Sequence, residues 1–174
     1  MNILSLVIGT IIIVIFSWYY SIREKRYHGI VRFFSFISIY ILILLNYRVW
    51  FHDPFSLFQL VSWILLIASI YPGIAGFLLL KKYGKSEKGF ENTTVLVKKG
   101  IYSHIRHPLY CSLLLLGTGI MLKDPGDLQL IAGAINIVAI YFTARVEERE
   151  MIQKFGESYI QYMWETRMFI PYLW

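Results

Sequence analysis

Cysteine is nearly absent from this chain: Cys111 stands alone among 174 residues, so no internal disulfide can staple the fold. Charge is scarce as well, with Asp, Glu, Lys and Arg making up 16% of the chain, against about 25% in soluble domains. Low charge together with few polar runs excludes a disordered chain. What replaces the missing charge is apolar surface. Hydrophobic residues reach 57% and aromatics 17%, and they fall in long uncharged runs rather than in amphipathic stripes with a polar face to offer water. An ordinary soluble domain does not fit this pattern.

Five stretches carry no Asp, Glu, Lys or Arg: residues 1–22, 33–47, 54–80, 108–122 and 128–144. A helix rises about 1.5 Å per residue, so crossing a hydrocarbon core of about 30 Å takes roughly 20 residues. The first and third runs meet that length. The second meets it when extended through Val49, Trp50 and Phe51, with Arg48 reaching to the interface. The fourth and fifth are short and are expected to dip, tilt or lean on other helices. The fold class expected is therefore all-α, a multipass integral membrane protein of about five transmembrane helices, followed by a C-terminal amphipathic helix on the cytosolic side. The first run lacks a positive leading region and a small-residue cleavage site, and its charges follow it, so it reads as a retained helix rather than a signal peptide.

The net charge of +6 has a topological explanation. With five crossings, four basic residues fall in 23–32, seven in 81–106 and four after Ala144, while the two opposite connections hold only Arg48 and Lys123. That asymmetry is the one cytoplasmic loops show. It puts the N-terminus outside and both polar regions, 81–107 and 144–174, on one cytosolic face, where they can meet. Membrane residues 1–80 and a more polar 81–174 then form one domain. The composition is compatible with a prokaryotic plasma membrane.

Three segments carry candidate chemistry. In Lys99-Gly100-Ile101-Tyr102-Ser103-His104-Ile105-Arg106-His107-Pro108-Leu109-Tyr110, Pro108 suits the first turn of a helix. That helix N-terminus, with Arg106 and His107 beside it, would receive an anion; the same residues would equally serve to anchor a helix end among headgroups. Glu147 and Glu148, in Arg145-Val146-Glu147-Glu148-Arg149-Glu150, adjoin a membrane run, where charge is costly and tends to be functional, although such runs also make plain solvated faces. Glu147 to Trp164 reads as an amphipathic helix bent near Gly156, its aromatics suited to an interface or to covering a site. His104 and His107 share a helical spacing, but a third metal ligand is not in view. Gly117-Thr118-Gly119 lacks the setting of a dinucleotide fingerprint.

Taken together, Leu96-Val97-Lys98-Lys99-Gly100-Ile101-Tyr102, Ile105-Arg106-His107-Pro108-Leu109-Tyr110, Glu147-Glu148 and Phe155-Gly156-Glu157-Ser158-Tyr159-Ile160-Gln161-Tyr162 resemble the isoprenylcysteine carboxyl methyltransferase family, which is related to the phospholipid N-methyltransferases. The resemblance covers residues 94–171 closely. It implies a membrane enzyme using S-adenosyl-L-methionine, released as S-adenosyl-L-homocysteine, without a Rossmann domain. By the same resemblance the cofactor is held by Thr94, Val95, Leu96, Val97, Tyr102, His107, Pro108, Leu109, Tyr110 and Glu147, while a lipophilic acceptor enters from the bilayer. Two positions depart from the family. Thr94 stands where members often carry histidine, and Thr143 stands where better-known members place the arginine that holds the substrate. Arg145, about 200° around a helix from that position, and Arg106 or Arg167 are the candidate replacements, with Glu148 a candidate base if the acceptor is an amine. Carboxyl O-methylation of a prenylated cysteine-like acceptor is the leading expectation. Phospholipid N-methylation, O- or S-methylation of another apolar molecule, and a non-catalytic membrane accessory role are its rivals; neither nucleic acid nor metal is expected.

Overall fold

The computed structural model describes residues 3–19, 27–85 and 93–171. Among the described residues there are six α-helices: α1 (Ile3–Ser17), α2 (His28–Asn46), α3 (Leu57–Tyr83), α4 (Pro108–Met121), α5 (Asp127–Phe155) and α6 (Glu157–Glu165), with a short 3-10 turn at Gly100–Ser103. No strand occurs among the described residues. The protein is an all-helical, multipass membrane protein. Three helices, α2, α3 and α5, are long and apolar enough to span. Only 17% of the most apolar window of α3 is buried, and Ile64, Ile67, Ile70, Ile74 and Leu78 all point outward. A surface of that kind is stable only against lipid.

The helices follow the uncharged runs with shifted ends. The second run does not extend through Phe51. Helix α2 stops at Asn46 and gains its length at the other end, starting at His28, which gives 19 residues, or about 28 Å. Residues 47–51 form turns instead. The fifth run does not stop at Ala144. Helix α5 continues to Phe155, 29 residues in all, so Glu147 to Phe155 is the polar extension of a membrane helix and not the start of a separate amphipathic one. Only α6 is separate. Gly156, at φ 58° and ψ −137°, makes the break in a conformation that side chains with a Cβ rarely adopt. Helix α4, at 14 residues, reaches about 21 Å and lies against α3. Of the first run, α1 accounts for Ile3–Ser17; residues 20–26, which hold three of the counted basic residues, lie outside the described residues, as do 86–92.

Two helix pairs build the bundle, α3 with α4 and α2 with α5, while α4 contacts both α2 and α5 and α1 leans on α2. Lipid offers no hydrophobic drive between helices, so small and polar side chains hold the seams. Ser112 donates to the Ser69 carbonyl at 2.7 Å and Ser62 to that of Gly119 at 2.6 Å, joining α4 to α3. Ser35 donates to Asn136 at 2.6 Å, and Asn136 donates in turn to the Leu113 carbonyl, joining α2, α5 and α4. One apolar cluster, Ile39, Leu42, Ile120 and Ala132, sits toward one end of the bundle. Another, Tyr110, Ile140, Ala144, Met168 and Phe169, lies beneath the residues of interest at the other end.

Lys123, one of the two basic residues counted against the charge asymmetry, is not exposed. Its Nζ lies 3.6 Å from the ring centroid of Trp63 and donates to Gln59 Oε1 at 2.9 Å. Burial pushes its ammonium pKa down. The aromatic faces take over part of the solvation that water would have provided.

Candidate functional site

The site forms where the polar regions around α3–α4 and α5–α6 converge. Pro108 starts α4 and forces its predecessor out of the helical region, so His107 takes φ −123° and ψ 62°. The chain before it is strapped to the C-terminal segment. Arg167 N–H donates to the His104 carbonyl at 3.0 Å, Arg106 N–H to that of Arg167 at 2.8 Å, and His107 N–H to that of Met168 at 3.1 Å. These bonds make a short parallel bridge between Ile105 and Arg167. Because it uses the backbone N–H groups of Arg106 and His107, neither is left for an anion at the helix N-terminus.

Arg106 is the hub of this strap. Its Nε donates to Glu148 Oε1 at 2.8 Å, and its Nη1 to the carbonyls of Met163 at 3.1 Å and Thr166 at 2.5 Å. Both side chains of the pair are buried, 9% and 2% exposed. Arg145, about half exposed, donates from Nη1 to the other Glu148 oxygen at 3.2 Å. The carboxylate therefore faces two guanidiniums, and His107 Nε2 lies 3.5 Å away. Buried ions of this kind need partners on every side, or the desolvation cost would exceed the attraction.

Above the hub lies an open pocket of about 660 Å³ including its mouth and the solvent in it. The loop supplies Leu96, Val97 and Tyr102; the start of α4 supplies His107, Pro108, Leu109 and Tyr110; and α5 supplies Glu147. Eight of the ten residues expected to hold a cofactor thus share one cavity, together with Arg106. Thr94 and Val95 do not line it. Both are exposed, their N–H groups bond the Gly84 carbonyl, and the Thr94 hydroxyl donates to the Lys85 carbonyl at 2.8 Å. Glu148 and Arg145 also lie off the wall, Glu148 behind Arg106, and Arg167 is exposed. Thr143 is fully buried in α5 and bonds its own helix, donating to the Ala139 carbonyl at 2.6 Å.

Seven wall residues were not singled out as binding positions: Arg32, Leu80, Thr93, Met151, Phe155, Tyr159 and Tyr162. For the α6 tyrosines the aromatic spacing is a signal, which suits an interface or a cover over a site. Tyr162 donates to the Tyr102 carbonyl at 2.6 Å, which fixes α6 over the loop. Burial raises the pKa of both phenols, and the carboxylates of Glu147 and Glu148 add to the rise at Tyr159. Arg32 comes from α2, where the only signal was a cation next to an uncharged run. His107, at the pocket wall, stacks on Tyr110 with ring centroids 5.4 Å apart, and its Nε2 is buried without a hydrogen-bond partner among the described residues. That nitrogen faces the Glu148 carboxylate, 3.5 Å away.

Residues 85–153 match the model of the isoprenylcysteine carboxyl methyltransferase family. The protein-S-isoprenylcysteine O-methyltransferase of Saccharomyces cerevisiae is 34% identical over 87 residues, 48% of this chain and 35% of that protein. Protein-S-isoprenylcysteine O-methyltransferase A of Arabidopsis thaliana is 33% identical over 88 residues, 48% of this chain and 43% of its own length. Methanethiol S-methyltransferase 1 of Bradyrhizobium diazoefficiens is 29% identical over 72 residues, 41% of this chain and 25% of that protein. The chain therefore matches less than half the length of each of these relatives. No solved structure matches it significantly. The stretch that matches this family's model, residues 85–153, holds the loop, the start of α4 and the Glu147-Glu148 pair.

Proposed function

We propose that this protein is an S-adenosylmethionine-dependent membrane methyltransferase that esterifies the carboxylate of a lipophilic acceptor, of the prenylated cysteine type. Its polar end faces the cytosol of a prokaryotic plasma membrane, and residues 1–174 act as one unit. The observation that carries the reading is the gathering of Leu96, Val97, Tyr102, His107 to Tyr110 and Glu147 around one open pocket at the polar end of a membrane bundle.

The wall suits a zwitterionic, cationic-sulfur ligand. Tyr102, Tyr110, Tyr159 and Tyr162 present aromatic rings that favour a cation. Glu147, 22% exposed at the wall, accepts from an ammonium or a ribose diol. When bound, S-adenosylmethionine supplies an electrophilic methyl group. The chain's own task is to orient the acceptor and keep water out, and positioning alone can lower such a barrier by many kcal/mol. A carboxylate is ionised at neutral pH, so esterification requires no general base. That agrees with Glu148 being tied to Arg106 and Arg145 instead of facing the cavity.

The test is methyl transfer from labelled S-adenosylmethionine by the purified protein in lipid, offered an S-prenylated cysteine, phosphatidylethanolamine and an apolar thiol. Base-labile label on the prenylated cysteine is the expected result. Base-stable label on the amine overturns the acceptor class. A second reading, S-methylation of an apolar thiol, draws on the similarity to the methanethiol S-methyltransferase, and base-stable label on the thiol would select it.

A further inference from the structure

The last turn of α3 carries Lys81 and Lys82, and the helix ends at Tyr83. Lysines there complement the partial negative charge of a helix C-terminus. The chain returns to the same place further on. The N–H groups of Thr94 and Val95 bond the Gly84 carbonyl at 2.9 and 3.3 Å. Gly100, at φ 60°, is seated so closely on α3 that a Cβ there would come within 2.8 Å of Leu79. This docking brings two ammonium groups from separate parts of the chain to one ring. Lys82 Nζ lies 5.2 Å and Lys99 Nζ 5.0 Å from the Tyr83 ring centroid.

One aromatic ring does not neutralise two cations. Lys82 and Lys99 are both exposed, and residues 81–85 and 93–106 contain no Asp or Glu. Among the described residues the lysine of this region with an ion pair is Lys98, 3.7 Å from Glu165. It turns the other way, with Nζ 5.4 Å from the Tyr162 ring of α6. Below the paired ammonium groups the surface is apolar. Ile74, Leu78 and Lys82 are spaced four apart and share one face of α3. Ile74 and Leu78 are each 56% exposed on a helix long and apolar enough to span. An apolar ridge that ends in two ammonium groups and a tyrosine, at the level where headgroups lie, matches the pattern of one phospholipid. Its chains would follow Ile74 and Leu78, and its phosphate would lie between Lys82 and Lys99. A soluble anion would use the cations and leave the ridge idle.

We propose that Lys82, Tyr83 and Lys99 form a clasp for the phosphate of an anionic phospholipid of the adjoining leaflet, and that the bound lipid fastens the loop at 96–102 to α3. Lys98 ties one side of that loop to α6, and the lipid held by Lys99 ties the other side to α3. Leu96, Val97 and Tyr102 of the loop line the pocket, so lipid at the clasp steadies one pocket wall without entering the pocket. The clasp lies outside the pocket and is independent of which acceptor is methylated.

The test is native mass spectrometry of the full chain in neutral detergent, offered phosphatidylglycerol, phosphatidylcholine of equal chain length, and inorganic phosphate alone. Each lysine close to an anionic headgroup is worth about a fivefold gain in binding. Wild-type protein is therefore expected to prefer phosphatidylglycerol to phosphatidylcholine at least about tenfold. In Lys82→Gln/Lys99→Gln the preference should fall to within about twofold, while Lys82→Arg/Lys99→Arg should keep it. Lys81→Gln/Lys85→Gln removes the same charge from the same rim and should keep most of it. Unchanged helical circular dichroism shows that the variants are folded. Equal losses in the two glutamine double variants would make the effect general surface charge and overturn the clasp. A wild-type protein without the preference overturns it as well, and so does displacement of the lipid by inorganic phosphate, which would make the site one for a free anion. In nanodiscs, hydrogen exchange at 96–102 should slow when phosphatidylglycerol replaces phosphatidylcholine, in wild type but not in Lys82→Gln/Lys99→Gln. Equal exchange in both membranes overturns the fastening of the loop.

Discussion

Removing the Arg106 guanidinium tests whether the strap across the site is held by charge. Arg106→Met keeps much of the volume and deletes three contacts at once: Glu148 at 2.8 Å and the carbonyls of Met163 and Thr166. Removing one partner of a buried ion pair costs about 3–5 kcal/mol, because the remaining charge stays buried without it. Here Glu148 keeps Arg145 at 3.2 Å, which favours the lower end for that part. The two carbonyls lose charge-assisted donors whose net worth is about 1.5–3 kcal/mol each. These contributions share one side chain and do not add, so the expected loss is about 3–5 kcal/mol. Denaturant unfolding in mixed micelles reads it. The companion variants are Glu148→Met and the double replacement Arg106→Met/Glu148→Met, since removing both charges removes the cause of the penalty. The double variant should recover at least half of the loss, with a coupling energy above about 1.5 kcal/mol. A single Arg106→Met within about 0.5 kcal/mol of wild type, or a cycle that is simply additive, would refute the account of the strap.

Two further outcomes follow from the packing. Tyr159 and Tyr162 have their pKa raised above the ordinary phenol value by burial, so the folded state keeps protons that the unfolded chain releases above about pH 10. Their stabilising contribution is therefore full below that pH and declines as pH rises beyond it, by up to about 1.4 kcal/mol per pH unit for each tyrosine. Tyr162→Phe should flatten the decline in an alkaline unfolding series, and an unchanged slope would count against the buried-phenol explanation. At the helix seams, a Cβ at Gly117 would come within 2.2 Å of Asn136 Nδ2, which is tied into the network with Ser35 and Leu113. A Cβ at Gly133 meets only the end of the flexible Met121 side chain at 2.3 Å. Gly117→Ala should cost about 1–3 kcal/mol and Gly133→Ala clearly less; equal losses in the same unfolding assay would mean that the Asn136 network is not what confines Gly117.

The membrane character of the chain could be read directly from its residues. A run of 27 uncharged residues at 54–80 has only one low-energy solution in lipid, because every backbone group must bond within its own helix. Proline suits the first turn of a helix, and α4 begins at Pro108 as expected. The loop at 96–102, the start of α4 and Glu147 were also legible as a group, because their residue types and spacing form a recognisable combination.

Helix ends and partners were not legible in the same way. Helix α2 begins at His28 because Glu150 receives both its backbone N–H and its ring Nδ1, an acceptor 122 residues away that no local pattern reveals. Helix α5 continues past its uncharged run because Glu148 and Glu150 find cationic or ring partners on other elements. In sequence, Arg106, Arg145 and Arg32 are equivalent cations near a membrane. The folded chain separates them into a buried hub, a half-exposed brace and a wall of the pocket. Hydropathy depends on what each residue is and therefore belongs to the sequence. The partner of a charge depends on which helices pack together and at what level, and that was decided by the tertiary structure alone.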